Sequence, residues 1–209
     1  QDNWDLKKDE DGIKVYTRKT NESSVKEFKA VMLLNTSMTS LVDKITDAKG
    51  LKNWNYRTTK SRLLERLSDD EYLIYMYNDF PWPVKNRDHI SKLTLLEVNS
   101  STIRIDIRSV PNKLPEYDNT IRIEEFSGYW LLEKTDSGIR VTQQMHGEPK
   151  GNVPSMIINA TLAKAPLYSF KKLKKELKEE TKEVKKNRFE KLKKFRQNLF
   201  LKKDKNGKK

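Results

Sequence analysis

The chain has 209 residues, 35% apolar and 9% aromatic, which suits one globular domain with an appendage and excludes a disordered polyampholyte. No run of 18 apolar residues occurs, so no apolar helix of spanning length is present, and the lack of cysteine excludes disulfides, thiolate zinc sites and cysteine nucleophiles together. Charge is uneven: residues 1–170 hold 25 basic and 24 acidic side chains and residues 171–209 hold 18 and 6, so nearly all of the formal +13 sits in the tail. Such a tail is either a surface for anionic lipid or nucleic acid or a solvated helix face.

Period-2 alternation dominates residues 3–148. Asp9-Glu10-Asp11-Gly12 predicts the turn of an opening hairpin, with Ile13 and Val15 alternating with Lys14 and Tyr16. Residues 25–34 read as a strand with Phe28, Ala30 and Met32 on one face. The period then changes: Asn35, Thr36 and Ser37 supply N-cap chemistry, Leu41, Val42 and Ile45 follow at helical spacing, and Gly50 stops the run. One or two short helices are predicted over 37–53. Strand signals resume at 57–66, 71–78, 88–98, 102–108, 121–132 and 139–146, for about nine strands in all, and their short connections predict antiparallel neighbours.

Two connections differ in kind. Pro81 and Pro83 bracket Trp82, and residues 111–120 hold Pro111 and Pro115, so both segments are expected as exposed loops. Their members Phe80, Trp82, Leu114 and Tyr117 are unusual choices for inert turns. After Gly151-Asn152-Val153-Pro154 the period returns to 3.6, with Ile157, Ala160, Leu167, Phe170, Leu173 and Leu177 on one stripe. This predicts one long amphipathic helix kinked at Pro166. Beyond Leu177 the stripe thins through Val184 to Leu192, Phe195 and Leu199, and residues 202–209 are expected to be disordered. The expected organisation is a domain over 1–177 and a basic helical extension over 178–209. The element order gives an α+β class, a curved antiparallel sheet around the final helix, and a body of this size can bury a core large enough to enclose a void.

Several motifs lie in a recognisable order: Trp4-Asp5-Leu6 with Asp11-Gly12-Ile13-Lys14-Val15-Tyr16, then Trp54, Pro81-Trp82-Pro83-x-x-Asn86-Arg87-Asp88, Gly128-Tyr129-Trp130, and Gly151-x-x-Pro154-x-x-x-x-Asn159. Over residues 3–177 the chain resembles the START lipid-transfer domain, in its bacterial form. The resemblance implies a helix-grip fold, of the START and Bet v 1-like kind, with a hydrophobic tunnel for one lipid between sheet and C-terminal helix. It also implies a lid built from residues 80–84, residues 111–120 and the helix start, transient contact with a membrane surface, and no enzymatic activity or cofactor.

Candidate ligand-binding residues follow. Tyr75, Met76, Gln143 and Met145 are lining candidates. Ile105 and Ile107 alternate with Arg104, Asp106 and Arg108, so one face of their strand is buried, as core or as tunnel wall. Ile157, Ala160 and Leu167 carry the same two readings. Trp82 either dips into a bilayer interface or packs over the mouth. Arg87 either pairs with Asp88 to pin the loop or touches the ligand. Sterol-carrying relatives place a buried Glu–Arg pair on neighbouring strands, whereas residues 73–77 and 92–95 here contain no acid and no arginine, which speaks against a sterol.

His89 and His146 show no metal-ligand spacing, and no Gly-x-Ser-x-Gly, Walker or Rossmann motif appears, so no metal or cofactor is expected. The leading expectation is a non-enzymatic, monomeric carrier or sensor of one hydrophobic molecule. A cyclase-like enzyme of the same superfamily would need acid and base groups inside the tunnel, and Tyr129, also a ligand-contact candidate, His146 and Arg87 are the suspects. A third possibility is a basic adaptor using residues 171–209, although no specific nucleic-acid motif is evident. Gln1 at the start and a cysteine-free chain resemble a mature exported bacterial protein, so the expected location is periplasmic or secreted, with cytoplasmic as the alternative.

Overall fold

The computed structural model describes residues 3–21, 23–148, 150–151, 153 and 155–180, the side chains of Ser155 and Ala160 excepted. The predicted stripe through Val184, Leu192, Phe195 and Leu199, the 202–209 end, Asn152 and Pro154 lie outside the described residues. A body, Gln1–Lys174, is distinct from a second unit that starts at Lys175. Residues 175–180 of that unit are helical, with Lys175 3.6 Å from Glu179 one turn on.

Strands β1 (Asp5–Glu10) and β2 (Ile13–Arg18) form the opening hairpin, turning at Asp11 and Gly12, whose φ angles of 55° and 76° favour these two residue types. Alternation makes β2 bury Ile13, Val15 and Thr17. After β3 (Glu27–Leu34), Ser37 caps α1 (Met38–Thr46), its hydroxyl accepting from the Ser40 N–H at 3.0 Å, and one further turn, α2 (Leu51–Trp54), buries Leu51 and Trp54. A meander follows: β4 (Thr58–Arg66), β5 (Glu71–Asn78), β6 (Asn86–Asn99) and β7 (Thr102–Ser109). Then come β8 (Thr120–Arg122), β9 (Glu125–Thr135) and β10 (Gly138–Glu148). All ten strands join one sheet in the order β1-β2-β3-β10-β9-β7-β6-β5-β4, with β8 on β6.

The strand expected over 121–132 is in fact two, and β8 runs parallel to β6, against the antiparallel expectation. The reason lies in β6, which begins before β7 can reach it: β7 ends opposite Ser91, leaving the first residues of β6 open on that side. β8 pairs with Asn86–Asp88, while the Val110 N–H donates to the Ile90 carbonyl at 2.9 Å and the Ile123 N–H to the Asp88 carbonyl at 2.8 Å. The exposed backbone groups of β6 are thereby satisfied.

The long kinked helix is also two pieces, α3 (Ser155–Thr161) and α4 (164–174 within the body), separated by a turn at 162–163. Pro166 does not kink a continuous helix. It sits in the first turn of α4, where an N–H has no intrahelical partner to lose. α4 buries Phe170 and Leu173 completely, and Phe170 stacks on Trp130 of β9 at 5.5 Å. Its far end is tied to the first hairpin: Lys171 bonds Glu10 and lies 2.9 Å from Asp11, and Lys174 donates to the Asp11 carbonyl at 2.8 Å. The α+β helix-grip architecture expected from the sequence is present. Among the described residues no helix is long and apolar enough to cross a membrane.

Candidate functional site

A cavity of about 220 Å³ lies between the sheet and the start of α4. Its base is aromatic. Trp54 meets Trp130 edge-on at 6.0 Å, and Trp130 stacks on Phe170. Phe28, Ile74, Met76, Leu93, Ile107 and Met145 form apolar walls, and alternation explains each, since every one occupies the inward parity of its strand. Gly128 makes the Met145 wall possible: a Cβ there would stand 2.1 Å from the Gln144 carbonyl oxygen and 2.5 Å from the Met145 sulfur. The rim carries Asn55, Tyr56, Asn78 and Ser169. The Ser169 hydroxyl accepts from the Tyr56 N–H at 3.0 Å and donates to Asn55 Oδ1 at 3.3 Å.

Among the described residues, those lining the cavity include no Lys, Arg, Asp or Glu. Three polar side chains do stand in the wall without a protein partner: the Trp54 indole N–H, the Ser91 hydroxyl and both nitrogens of His89. His89 stacks on Phe126 at 5.1 Å, and its burial pushes the imidazole pKa down to about 4, against a smaller opposing pull from Asp88.

The expected ligand residues divide. Met76, Ile107, Gln143 and Met145 come together in the cavity wall. Ile105 is fully buried opposite Trp130 but does not line the cavity, and Leu167 is likewise buried without lining it. Tyr75 is buried on the other face of the sheet. It opposes Ile90 in register, one residue out of phase with His89 and Ser91, and packs edge-on against Tyr117 at 6.0 Å. β5 therefore reads as four buried residues in a row, Leu73 to Met76, because a loop covers its outer side. Trp82 is 92% exposed and covers no mouth. Ile157 is half exposed, and the side chain of Ala160 is outside the described residues. Tyr129 lies on the outer face, its hydroxyl donating to Gln144 Oε1 at 2.8 Å.

The Arg87–Asp88 pair expected from the motif does not form. Adjacent strand residues point to opposite faces, so Asp88 pairs with Arg122 at 2.7 Å, while Arg87 donates to the carbonyls of Lys85 and Lys150 and lies over the Phe80 ring. Asp88 raises the Arg122 pKa, chiefly through its hydrogen bonds. Arg122 also donates to the carbonyls of Pro111 (2.6 Å), Leu114 (3.1 Å) and Pro115 (3.2 Å). The 111–115 loop is thus anchored on the outer face beside Tyr75, and neither it nor residues 80–84 lines the cavity. Of the enzyme suspects, Tyr129 and His146 border a separate depression of about 610 Å³ next to Arg104 and Asp106, and Arg87 lines neither space.

The sequence reading missed His89, Ser91 and Trp54 as wall residues. The signal was available in β6, where His89 and Ser91 are polar at the same parity as apolar Leu93.

Comparison with known proteins agrees with this geometry. The START domain family model matches residues 1–183. An uncharacterized Pseudomonas aeruginosa protein is 31% identical over 173 residues, covering 82% of this chain and 85% of the relative. The phosphatidylcholine transfer protein of Rattus norvegicus is 27% identical over 163 residues, 75% of either chain. The crystal structure of a STAR-related lipid transfer protein from Xanthomonas axonopodis superposes with a TM-score of 0.80 at 34% identity, covering 85% of this chain and 99% of that one. A START family model over most of its length, a relative above 30% identity and a helix-grip enclosing an apolar cavity place this chain in the START domain family.

Proposed function

We propose that the chain binds one lipid-like molecule in the cavity between the sheet and α4 and carries or senses it without altering it chemically. Membership of the START family supports lipid binding and transport in general, and the relatives named for lipid transfer point the same way. The carrying observation is the cavity itself, walled mainly by apolar and aromatic side chains, with His89, Ser91 and Gln143 as polar members and no Lys, Arg, Asp or Glu among its described lining residues. Each methylene moved from water into such a space gains about 0.8 kcal/mol, enough to load a ligand without covalent chemistry. None of the suspected acid–base groups Tyr129, His146 and Arg87 lines that space, and His89, which does, has no partner among the described residues to activate it, which favours carriage over catalysis.

Loading calls for brief contact with a membrane. Trp82 and Met156, 92% and 77% exposed, and half-exposed Ile157 supply apolar side chains for it. Their segments meet at Arg87, which lies over Phe80 and bonds Lys150. Native mass spectrometry of gently purified protein, with extraction of bound lipid, tests the reading. An adduct in the mass range of a lipid supports it, whereas a strictly ligand-free mass across preparations, with no uptake of fluorescent lipids, overturns it.

A further inference from the structure

We propose that the cavity selects an uncharged, single-chain lipid whose hydroxyl or ester-type oxygen is received by His89, Ser91 and Trp54. This rests on the carrier reading of the same cavity and adds the chemical class of its ligand.

Three observations converge. First, Trp54, Ser91 and His89 are 2%, 3% and 8% exposed, yet the indole N–H, the hydroxyl and both imidazole nitrogens lack a protein partner. Buried polar groups are otherwise nearly always paired, so three orphans around one cavity mark a place where a partner arrives with the ligand. Second, their chemistry is specific. An indole only donates, a hydroxyl does both, and a neutral imidazole donates at one nitrogen and accepts at the other. A hydroxyl oxygen satisfies all three types, and a carbonyl oxygen satisfies the donors. Burial keeps the imidazole neutral, so it offers no cation.

Third, charge is excluded. Among the described residues no Lys, Arg, Asp or Glu lines the space. The buried ions Asp88 and Arg122 pair with each other on the opposite face, and Arg87, on the cavity-facing parity of β6, is engaged by the Lys85 and Lys150 carbonyls and does not line it. A carboxylate or phosphate placed there would lose its hydration with no counter-charge in return. The volume, about 220 Å³, falls below the roughly 300–1,000 Å³ of ordinary ligand pockets and fits one chain better than two.

A matched series with the same twelve-carbon tail tests this on the full chain: dodecanol, dodecane, dodecanoate and dodecylphosphocholine below its critical micelle concentration. Dodecanol is expected to bind at least ten-fold more tightly than the other three. Ser91→Ala and His89→Phe, the latter keeping a ring against Phe126, should each cut the dodecanol preference over dodecane about five-fold, roughly one hydrogen bond's worth, with dodecane affinity held or improved. In ¹⁵N-histidine spectra of the unmutated chain, dodecanol should move the His89 ring nitrogens and dodecane should not; this readout stands even if a variant fails to fold. Equal binding of dodecanol and dodecane, equal loss of both in the variants, or tightest binding by either charged probe overturns the inference while leaving the carrier reading intact. Failure of every probe to bind overturns both.

Discussion

Asp88 and Arg122 meet fork to fork, Oδ1 to Nε at 2.7 Å and Oδ2 to Nη2 at 3.0 Å, with side chains only 1% and 2% exposed. Out of water such a pair is far more costly to break than to replace. Arg122→Met strands a buried carboxylate and frees three loop carbonyls, so it should lose about 3–5 kcal/mol of unfolding free energy. Adding Asp88→Leu should recover part of that loss. Denaturant midpoints of the single and double variants check both outcomes.

His89 gives stability a pH dependence of definite sign. Its pKa falls from 6.5 in the unfolded chain to about 4 in the fold, so the unfolded chain binds more protons between those values. The contribution, roughly 3 kcal/mol by the shift, is complete above pH 6.5, declines as pH falls towards 4, and changes no further below that. His89→Phe should remove this slope. Melts between pH 4 and 7 of the two proteins, compared side by side, provide the measurement.

Gly128 is a position where a methyl group does not fit. Gly128→Ala must part β9 from β10, because the new Cβ meets the Gln144 carbonyl oxygen, and push the Met145 sulfur as well, at a cost of about 1–3 kcal/mol, and should shrink the cavity. Thermal unfolding, with lipid uptake measured on the folded fraction, tests this.

Trp82 should separate stability from surface binding. At 92% exposure, Trp82→Ala is expected to change unfolding free energy by no more than about 0.5 kcal/mol. Its partition onto phosphatidylcholine vesicles should weaken several-fold, as followed by vesicle sedimentation.

Removing residues 183–209 should leave the melting temperature of the body unchanged, since Gln1–Lys174 already forms a compact unit. A drop of several degrees in the truncated chain would make the extension part of the domain.

Much of this architecture was legible because the alternation is clean. Ile13 and Val15, or Phe28, Ala30 and Met32, state which side of a strand is buried without reference to any other element. What was hidden depended on contacts distant in sequence. Residues 121–122 read as the start of β9 because nothing local shows that β7 stops short of the beginning of β6. Tyr75 looked like a wall residue because burial of consecutive β5 positions does not say which face meets the cavity. The Arg87–Asp88 motif invited pairing of neighbours, whereas strand geometry sends them to opposite sides, and the true partner of Asp88 lies 34 positions on. The His89–Ser91 parity was visible, but its meaning required knowing that no side chain answers it.

The anchoring of residues 111–115 bears on how a guest gets in. Three carbonyl bonds from an ion-paired guanidinium hold that flank shut, and Arg87 ties the neighbouring 150 segment to the same strand. Across the rim, the Ser169 hydroxyl, with one bond to Tyr56 and one to Asn55, and the edge-on contact of Tyr56 with Tyr168 span the gap between α4 and the turn after α2. Parting the rim at the first turn of α4, ahead of the buried Phe170 and Leu173 that pin the rest of the rod, is therefore expected to break fewer hydrogen bonds than freeing the 111–115 flank.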